Sequence, residues 1–253
     1  MVHLGPLPGS PRFGGSFEQV VSGAVRDAEI LAEAGFPAVL VENFGDSPYY
    51  PDRVPPVTVA AMTAVAVEIR NRTGVELGIN VLRNDAEAAL GVAVAVGAAF
   101  VRVNVLTGVM FTDQGIIQGS AHEVLRARAR LGARVGILAD VHVKHAVPPP
   151  GLTLEQAAAD TWTRGGADAL VVSGDATGRP VTPEALRTVR TVCPDAPLVV
   201  GSGISPENLS AFSGLADSVI VGTWLKHDGR VDAPVDPGRA RLLVAAAAEA
   251  GLL

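Results

Sequence analysis

The chain has 253 residues, 48% of them hydrophobic, and a formal net charge of −6. Its length suits one domain with a large core, so we expect a single domain over residues 1–253. The acidic balance and the lack of a basic tract argue against a nucleic-acid partner. No apolar stretch reaches the roughly 20 residues of a membrane span, and the single cysteine excludes an intrachain disulfide. We therefore expect a cytoplasmic protein.

Eight short apolar runs recur between Val2 and Leu253, and each is followed by an Ala-rich helical stretch. Strands that alternate with helices predict a parallel sheet. Eight such units predict an α/β fold consisting of a single (β/α)8 barrel, the TIM barrel. Helix starts support this division: Ser16–Gln19 and Thr153–Gln156 are typical capping boxes, and Thr182 and Ser205 each precede a Pro-Glu pair as N-cap residues.

The first three strands each send one polar side chain toward the barrel interior. Because side chains alternate along a strand, His3 points inward if Val2 and Leu4 face the helices. The same alternation turns Glu42 inward on the second strand and Asn80 inward on the third. We therefore expect an imidazole, a carboxylate and an amide at the mouth of the barrel.

The fourth strand contributes Arg102 and Asn104 to the interior, since three valines alternate with them. Buried polar groups destabilise the fold by several kcal/mol each unless they are paired. One interpretation is therefore a structural layer, in which Glu42 and Arg102 form a satisfied ion pair that fills the core. In the functional interpretation, Asn80, Arg102 and Asn104 bind hydroxyl groups or an oxyanion of a substrate.

A long loop, Thr107–Gly119, follows the fourth strand and is rich in glycine. It also carries four apolar side chains that need something to cover, namely Met110, Phe111, Ile116 and Ile117. The loop could close over the mouth as a lid, with glycines as hinges. The alternatives are a permanently packed loop and a loop buried against another subunit of a homo-oligomer, the assembly that we expect.

The fifth apolar run, Val135–Lys144, places Asp140, His142 and Lys144 on the face opposite its valines. We expect Asp140 to be the central general acid or base, with His142 or His3 as its partner and Glu42 nearby. Lys144 would pair with an anion or, less simply, form a Schiff base.

No compact ligand motif supports a metal, so no cofactor is predicted. A divalent ion held by Glu42, Asp140 and His142 is the weaker alternative.

Glycines cluster where the last strands end. In this fold, the loops after strands seven and eight commonly bind phosphate through backbone N–H groups and helix N-termini. The predicted phosphate cradle comprises Gly201, Ser202, Gly203, Gly222 and Thr223. Ser173 and Thr177, after strand six, either complete the rim as substrate-binding residues or form a simple turn.

Eight motifs in this chain resemble, in the same order, those of the BtpA/SgcQ family. They are Met1–Pro11, Val41–Asp46, Gly78–Asp85, Phe100–Asn104, Thr112–Gly115, Ala139–His145, Val199–Gly203 and Val221–Thr223. The resemblance implies a TIM barrel from a group named for a cyanobacterial factor needed for photosystem I accumulation. It also implies relatives in sugar-utilisation gene clusters. Similar chains usually begin several residues before the position of Met1 in this one.

Two functions remain open from the sequence. The first is an enzyme that acts on a phosphorylated sugar or nucleoside-like molecule by isomerisation, epimerisation, aldol chemistry or glycosidic cleavage. The second is a non-catalytic biogenesis or stability factor for a membrane complex such as photosystem I. The ring of inward-facing polar groups favours the enzyme, because a scaffold does not need such a ring.

Overall fold

A computed structural model describes residues 1–174 and 181–252 of the chain. Thr177, expected at the rim of the site, lies outside the described residues. Eight parallel strands form one curled sheet, in the spatial order β1 (Val2–His3), β2 (Ala38–Glu42), β3 (Glu76–Asn80), β4 (Phe100–Val103), β7 (Gly136–Val141), β9 (Ala169–Val172), β10 (Leu198–Val200) and β11 (Ser218–Val219). A second, antiparallel sheet has the order β6 (Gly115–Gln118), β5 (Val109–Thr112) and β8 (Ala146–Val147).

The two ends of the eight-stranded sheet lie next to each other. The main-chain nitrogen of Met1 donates a hydrogen bond to the carbonyl oxygen of Val221, with a separation of 2.9 Å. Helices alternate with the strands: α1 (Phe17–Ala34), α2 (Pro56–Thr73), α3 (Ala86–Val96), α4 (Ala121–Arg130), α5 (Leu154–Ala159), α6 (Pro183–Val192) and α7 (Pro237–Glu249). The predicted (β/α)8 barrel is confirmed.

Local sequence signals set most helix starts. The Ser16 hydroxyl accepts a hydrogen bond from the Gln19 N–H at the start of α1. Thr153 and Gln156 form a complete capping box at α5, and Thr182 caps α6 ahead of Pro183. The outward faces of the strands pack on these helices, so the main apolar core lies between the barrel and its helical layer.

The helix predicted to begin at Ser205 is wrong. The chain forms turns there, followed by a short 3₁₀ segment at Leu209–Phe212. The Asn208 side chain closes the turn, because its oxygen accepts from the Ser205 N–H and its amide donates to the Gly203 carbonyl oxygen. A side chain that satisfies these backbone groups locally competes with the helix.

The fifth barrel strand is also shorter than predicted. It ends at Val141 instead of continuing to Lys144, and His142 and His145 adopt left-handed backbone conformations with φ of 53° and 57°. Side chains beyond Val141 therefore no longer alternate between the two faces.

The loop after β4 is a β-hairpin formed by β5 and β6. The other edge of β5 pairs with β8. Met110 and Ile117 pack against Val105 and Val143 in a small separate core. On the opposite face, three apolar side chains are exposed: Phe111, Ile116 and Val147. The hairpin thus has one packed face and one free face, and closure over the mouth stays a prediction.

Candidate functional site

Two adjoining cavities open at the carboxyl ends of the barrel strands. The first, termed the glycine-loop cavity, measures about 380 Å³ and is lined by His3 and the segments 201–205 and 220–224. The second, termed the Arg83 cavity, measures about 450 Å³ and is lined by residues that include Glu42, Arg83 and Asn104. The two cavities share three lining residues, namely Phe44, Arg102 and Lys144. Together they form one mouth.

Arg102 and Asp140 form the buried centre of the polar layer. Arg102 Nε and one terminal nitrogen donate to the two Asp140 carboxylate oxygens at 2.9 and 3.0 Å. Asn104 Nδ2 donates to the same carboxylate at 3.0 Å, and Arg102 also reaches Ser173 Oγ at 3.4 Å. The carboxylate paired with Arg102 is therefore Asp140, and the structural alternative of a Glu42–Arg102 ion pair is wrong.

Glu42 instead belongs to a second group at the mouth. One of its carboxylate oxygens accepts a hydrogen bond from Asn80 Nδ2 at 2.5 Å. The other lies 3.7 Å from His3 Nε2, and the His3 ring stacks on Phe44 with centroids 4.6 Å apart. Register places these groups together, because β1 pairs His3 with Glu42 and β2 pairs Glu42 with Asn80.

Burial holds the pKa of His3 well below its usual value, and the positive charge of Lys226 acts in the same direction. Lys226 is itself buried and forms an ion pair with Asp27 of α1, with Nζ 2.6 Å from the carboxylate. The His3 imidazole is therefore neutral at physiological pH, beside a carboxylate.

Lys144 lies between the two cavities. Its pKa is lowered, first by burial and then by the positive charge of Arg102. Among the described residues, the Lys144 amine has no hydrogen-bond or ion-pair partner.

His142 does not join Lys144 at the mouth. After its left-handed turn it lines, together with Asp140, a separate space of about 50 Å³ near Met110 and Thr161. Burial lowers the pKa of His142. Within residues 1–174 and 181–252, no group of three His, Cys, Asp or Glu side chains is arranged to hold a metal ion. Glu42, Asp140 and His142, the residues of the alternative metal site, are therefore not arranged to bind one ion.

The first glycine loop packs closely on the polar layer. A Cβ atom at Gly201 would collide with Ser173 Oγ, so this position requires glycine. Ser202 is buried, and its hydroxyl accepts a hydrogen bond from the Gly174 N–H at 2.9 Å. The predicted residues Gly201, Ser202 and Ser173 therefore lie together beside Arg102.

The two glycine loops face each other across the glycine-loop cavity. Among the described residues that line this cavity, the backbone N–H groups of Gly203, Ile204, Gly222 and Thr223 are among those that donate to no acceptor. Unused N–H groups that converge on a cavity are suited to an anion. Because no α-helix starts at Ser205, these N–H groups act without a helix dipole.

Three further residues line the mouth that alternation along strands does not select. Arg83 follows β3, is only 5% exposed, and donates to the Lys144 carbonyl oxygen at 2.6 Å. Phe44 and Tyr49 come from the loop after β2, where the Tyr49 hydroxyl donates to the Phe44 carbonyl oxygen. The sequence signal that could have identified Arg83 is a charged residue directly after the apolar pair Val81–Leu82 at the end of a strand.

The curled sheet, the helical layer and a polar mouth at the strand ends define a (β/α)8-barrel protein. This chain belongs to the BtpA family, whose model matches residues 1–249.

An uncharacterized protein of Thermococcus kodakarensis is 53% identical, over 98% of this chain and 94% of its own length. The photosystem I biogenesis protein BtpA of Synechocystis is 45% identical, over 98% of this chain and 87% of its own length. The putative sgc region protein SgcQ of Escherichia coli is 31% identical, over 94% of this chain and 89% of its own length.

Solved structures resemble this chain in fold alone. A structure described as native KDPGal has a TM-score of 0.58 at 17% identity, covering 95% of this chain and 93% of its own. Orotidine 5′-phosphate decarboxylase from Pyrococcus horikoshii has a TM-score of 0.57 at 15% identity, covering 92% and 95%. No helix among the described residues is both long and apolar enough to cross a membrane.

Proposed function

We propose that this protein is an enzyme that binds a phosphorylated sugar or nucleoside-like molecule and moves a proton on it. One observation carries the proposal. A single mouth brings together unused backbone N–H groups of two glycine loops and a carboxylate beside a neutral imidazole. The first set suits a phosphate, and the second suits proton transfer.

The phosphate is assigned to the glycine-loop cavity. The N–H groups of Gly203, Ile204, Gly222 and Thr223 would bind its oxygens, with Ser202 and Gly201 shaping the loop. Orotidine 5′-phosphate decarboxylase, which has a similar fold, acts by its name on a 5′-phosphate. That name supports the proposal only through the shared fold.

Proton transfer is assigned to Glu42 and His3. Efficient acid–base catalysis needs two groups with different proton affinities in one cavity. The Glu42 carboxyl group would accept a proton from the ligand, while the neutral imidazole of His3 would donate a hydrogen bond to a ligand oxygen. Asn80 holds the Glu42 carboxylate in position through its hydrogen bond.

In this proposal Asp140 is not the general acid or base that its position on the strand predicts. Its side chain is fully buried, and its oxygens accept three hydrogen bonds from Arg102 and Asn104. The Asp140 carboxylate is occupied by these hydrogen bonds and lines neither cavity of the mouth. We assign Asp140 as a positioning residue that fixes Arg102 under the ligand, and Asn104 as a ligand-binding residue through its unpartnered Oδ1.

The reaction can be tested with a panel of aldose, ketose and nucleoside phosphates in deuterated water. Deuterium incorporation and phosphorus NMR together report proton exchange at carbon and bond cleavage. Glu42→Gln should lower the rate by about 10²- to 10⁴-fold, the usual contribution of a general base. Glu33→Gln, a change at an exposed residue of α1, is the matched control and should keep the full rate. Full activity in Glu42→Gln, or no reaction with any member of the panel, would contradict the proposal.

A second candidate function is assembly of a membrane complex without catalysis. It is supported by the name of the Synechocystis relative and by the exposed apolar face of Phe111, Ile116 and Val147. Replacing that relative in Synechocystis by variants of this chain separates the two candidates. Photosystem I accumulation that survives Glu42→Gln but not Phe111→Ser would favour the assembly function.

A further inference from the structure

Arg83 is a buried cation that forms no ion pair within the described part of the chain. Its side chain is among the buried charged groups, at 5% exposure. Among the described residues, its guanidinium makes one hydrogen bond, to the Lys144 carbonyl oxygen, and no ion pair. A guanidinium carries five N–H donors, so most of its donor capacity is unused.

A second cation faces the same cavity. Lys144 lines the Arg83 cavity, and its amine lacks a partner among the described residues. The carboxylates that line this cavity are Glu42 and Asp113. Neither carboxylate lies within 4.0 Å of the side-chain nitrogens of Arg83 or Lys144. Glu42 already accepts a hydrogen bond from Asn80.

Desolvating a charge without pairing it destabilises a folded protein, so buried charges are normally paired. In this cavity burial lowers the pKa of both Arg83 and Lys144, which records the unfavourable environment of their charged forms. A bound anion would compensate both cations at once. Asn104, whose Oδ1 has no hydrogen-bond partner in the described chain, and Tyr49 line the same cavity. They would contact a hydroxylated group next to the bound anion.

We propose that Arg83 and Lys144 form a second anion-binding subsite, so that the ligand of this mouth carries an acidic group in addition to its phosphate. The inference rests on the proposed function for the position of the phosphate. Lys144, Arg102 and Phe44 line both cavities, so a single molecule can extend from one to the other. The ligand class is then a phosphorylated sugar acid or a sugar bisphosphate.

The test compares matched ligands by isothermal titration of the full chain. Each phosphorylated sugar acid is paired with its polyol: phosphoglycerate with glycerol phosphate, phosphoerythronate with erythritol phosphate, and phosphogluconate with sorbitol phosphate. The corresponding bisphosphates form a third series and show whether a carboxylate or a phosphate fits. For at least one chain length, the doubly anionic compound should bind about tenfold or more tightly than the polyol, the gain expected from charge-assisted hydrogen bonds.

Arg83→Met should abolish this preference, with the polyol phosphate of the same chain length as the reference for each variant. Lys144→Met should reduce it while keeping the backbone carbonyl that Arg83 binds, so it tests the subsite even if Arg83→Met misfolds. Arg12→Met, at an exposed arginine outside the Arg83 cavity, controls for overall charge and should keep the preference.

Two outcomes separate this inference from the proposed function. If polyol phosphates bind but a second anion adds nothing, the subsite is wrong and the phosphate site stands. If acids bind through Arg83 with or without their phosphate, the subsite stands and the phosphate assignment is wrong. A preference that survives both Arg83→Met and Lys144→Met also overturns the subsite.

Discussion

Arg102 and Arg83 have the same charge and nearly the same depth, at 2% and 5% exposure, but their surroundings differ. Arg102 is held by both oxygens of Asp140 and by Ser173. Arg83 has one carbonyl partner and, among the described residues, no carboxylate within ion-pair distance. Arg102 thus belongs to a fully paired polar layer below the mouth. Arg83 lies above that layer and is not paired with a carboxylate among the described residues.

The two arginines show that a buried charge in this barrel can be either structural or ligand-binding. A pair that satisfies itself holds the barrel interior in a fixed arrangement and is structural first. A buried charge with unused donors is compensated only when a ligand arrives. Burial alone would have given both arginines the same role.

The largest expected effect follows from breaking the fully paired polar layer. Arg102→Met leaves the Asp140 carboxylate buried with only Asn104 to bind it. Such a change destabilises a protein by about 3–5 kcal/mol. Urea unfolding measures this loss, and the double variant Arg102→Met with Asp140→Leu should recover part of it, because no charge is then left unpaired.

Arg83→Met should have a much smaller effect in the same urea experiment. It removes an unpaired cation and one hydrogen bond, so unfolding free energy should change by about 1 kcal/mol or less. A loss as large as that of Arg102→Met would show that Arg83 is structural, and the contrast between the two arginines would fail.

Another effect on stability is expected from pH, through the buried imidazole of His3. Its folded pKa is lowered well below the usual value, so below about pH 6.5 the unfolded chain binds a proton that the folded protein does not. Stability therefore falls on acidification, by up to about 1.4 kcal/mol per pH unit for one histidine.

His3→Gln should remove this part of the slope in urea titrations between about pH 7.5 and about pH 5.5. Some slope will remain, since burial also lowers the pKa of His142 and His145. An unchanged slope in His3→Gln would mean that the folded protein binds a proton at His3 as readily as the unfolded chain does, contrary to the lowered pKa of His3.

Alternation along regular strands predicts much of the site. It turns Glu42, Asn80, Arg102 and Asp140 to one interior surface, because each lies within a strand of constant side-chain period. Which of them pair could not be predicted, since pairing depends on strand register and on the reach of Arg102 across to β7.

Prediction fails where regular backbone ends. His142 lies one residue beyond β7 in a left-handed conformation, so counting by twos placed it at the mouth incorrectly. Arg83 lies beyond β3 in a segment without a period to count. The turn at Ser205 shows the same limit, because the Asn208 side chain replaces the expected helix start.

The most direct test of the phosphate-binding mouth uses one position and two nearly identical side chains. Gly203 has φ of 71°, a conformation that Asn and Asp tolerate better than other residues. Gly203→Asp places a negative charge in the proposed cradle, and Gly203→Asn is its neutral match. Titration with glycerol phosphate should show binding about tenfold or more weaker for Asp than for Asn, because like charges repel at close range. Equal affinity in the two variants would contradict the account.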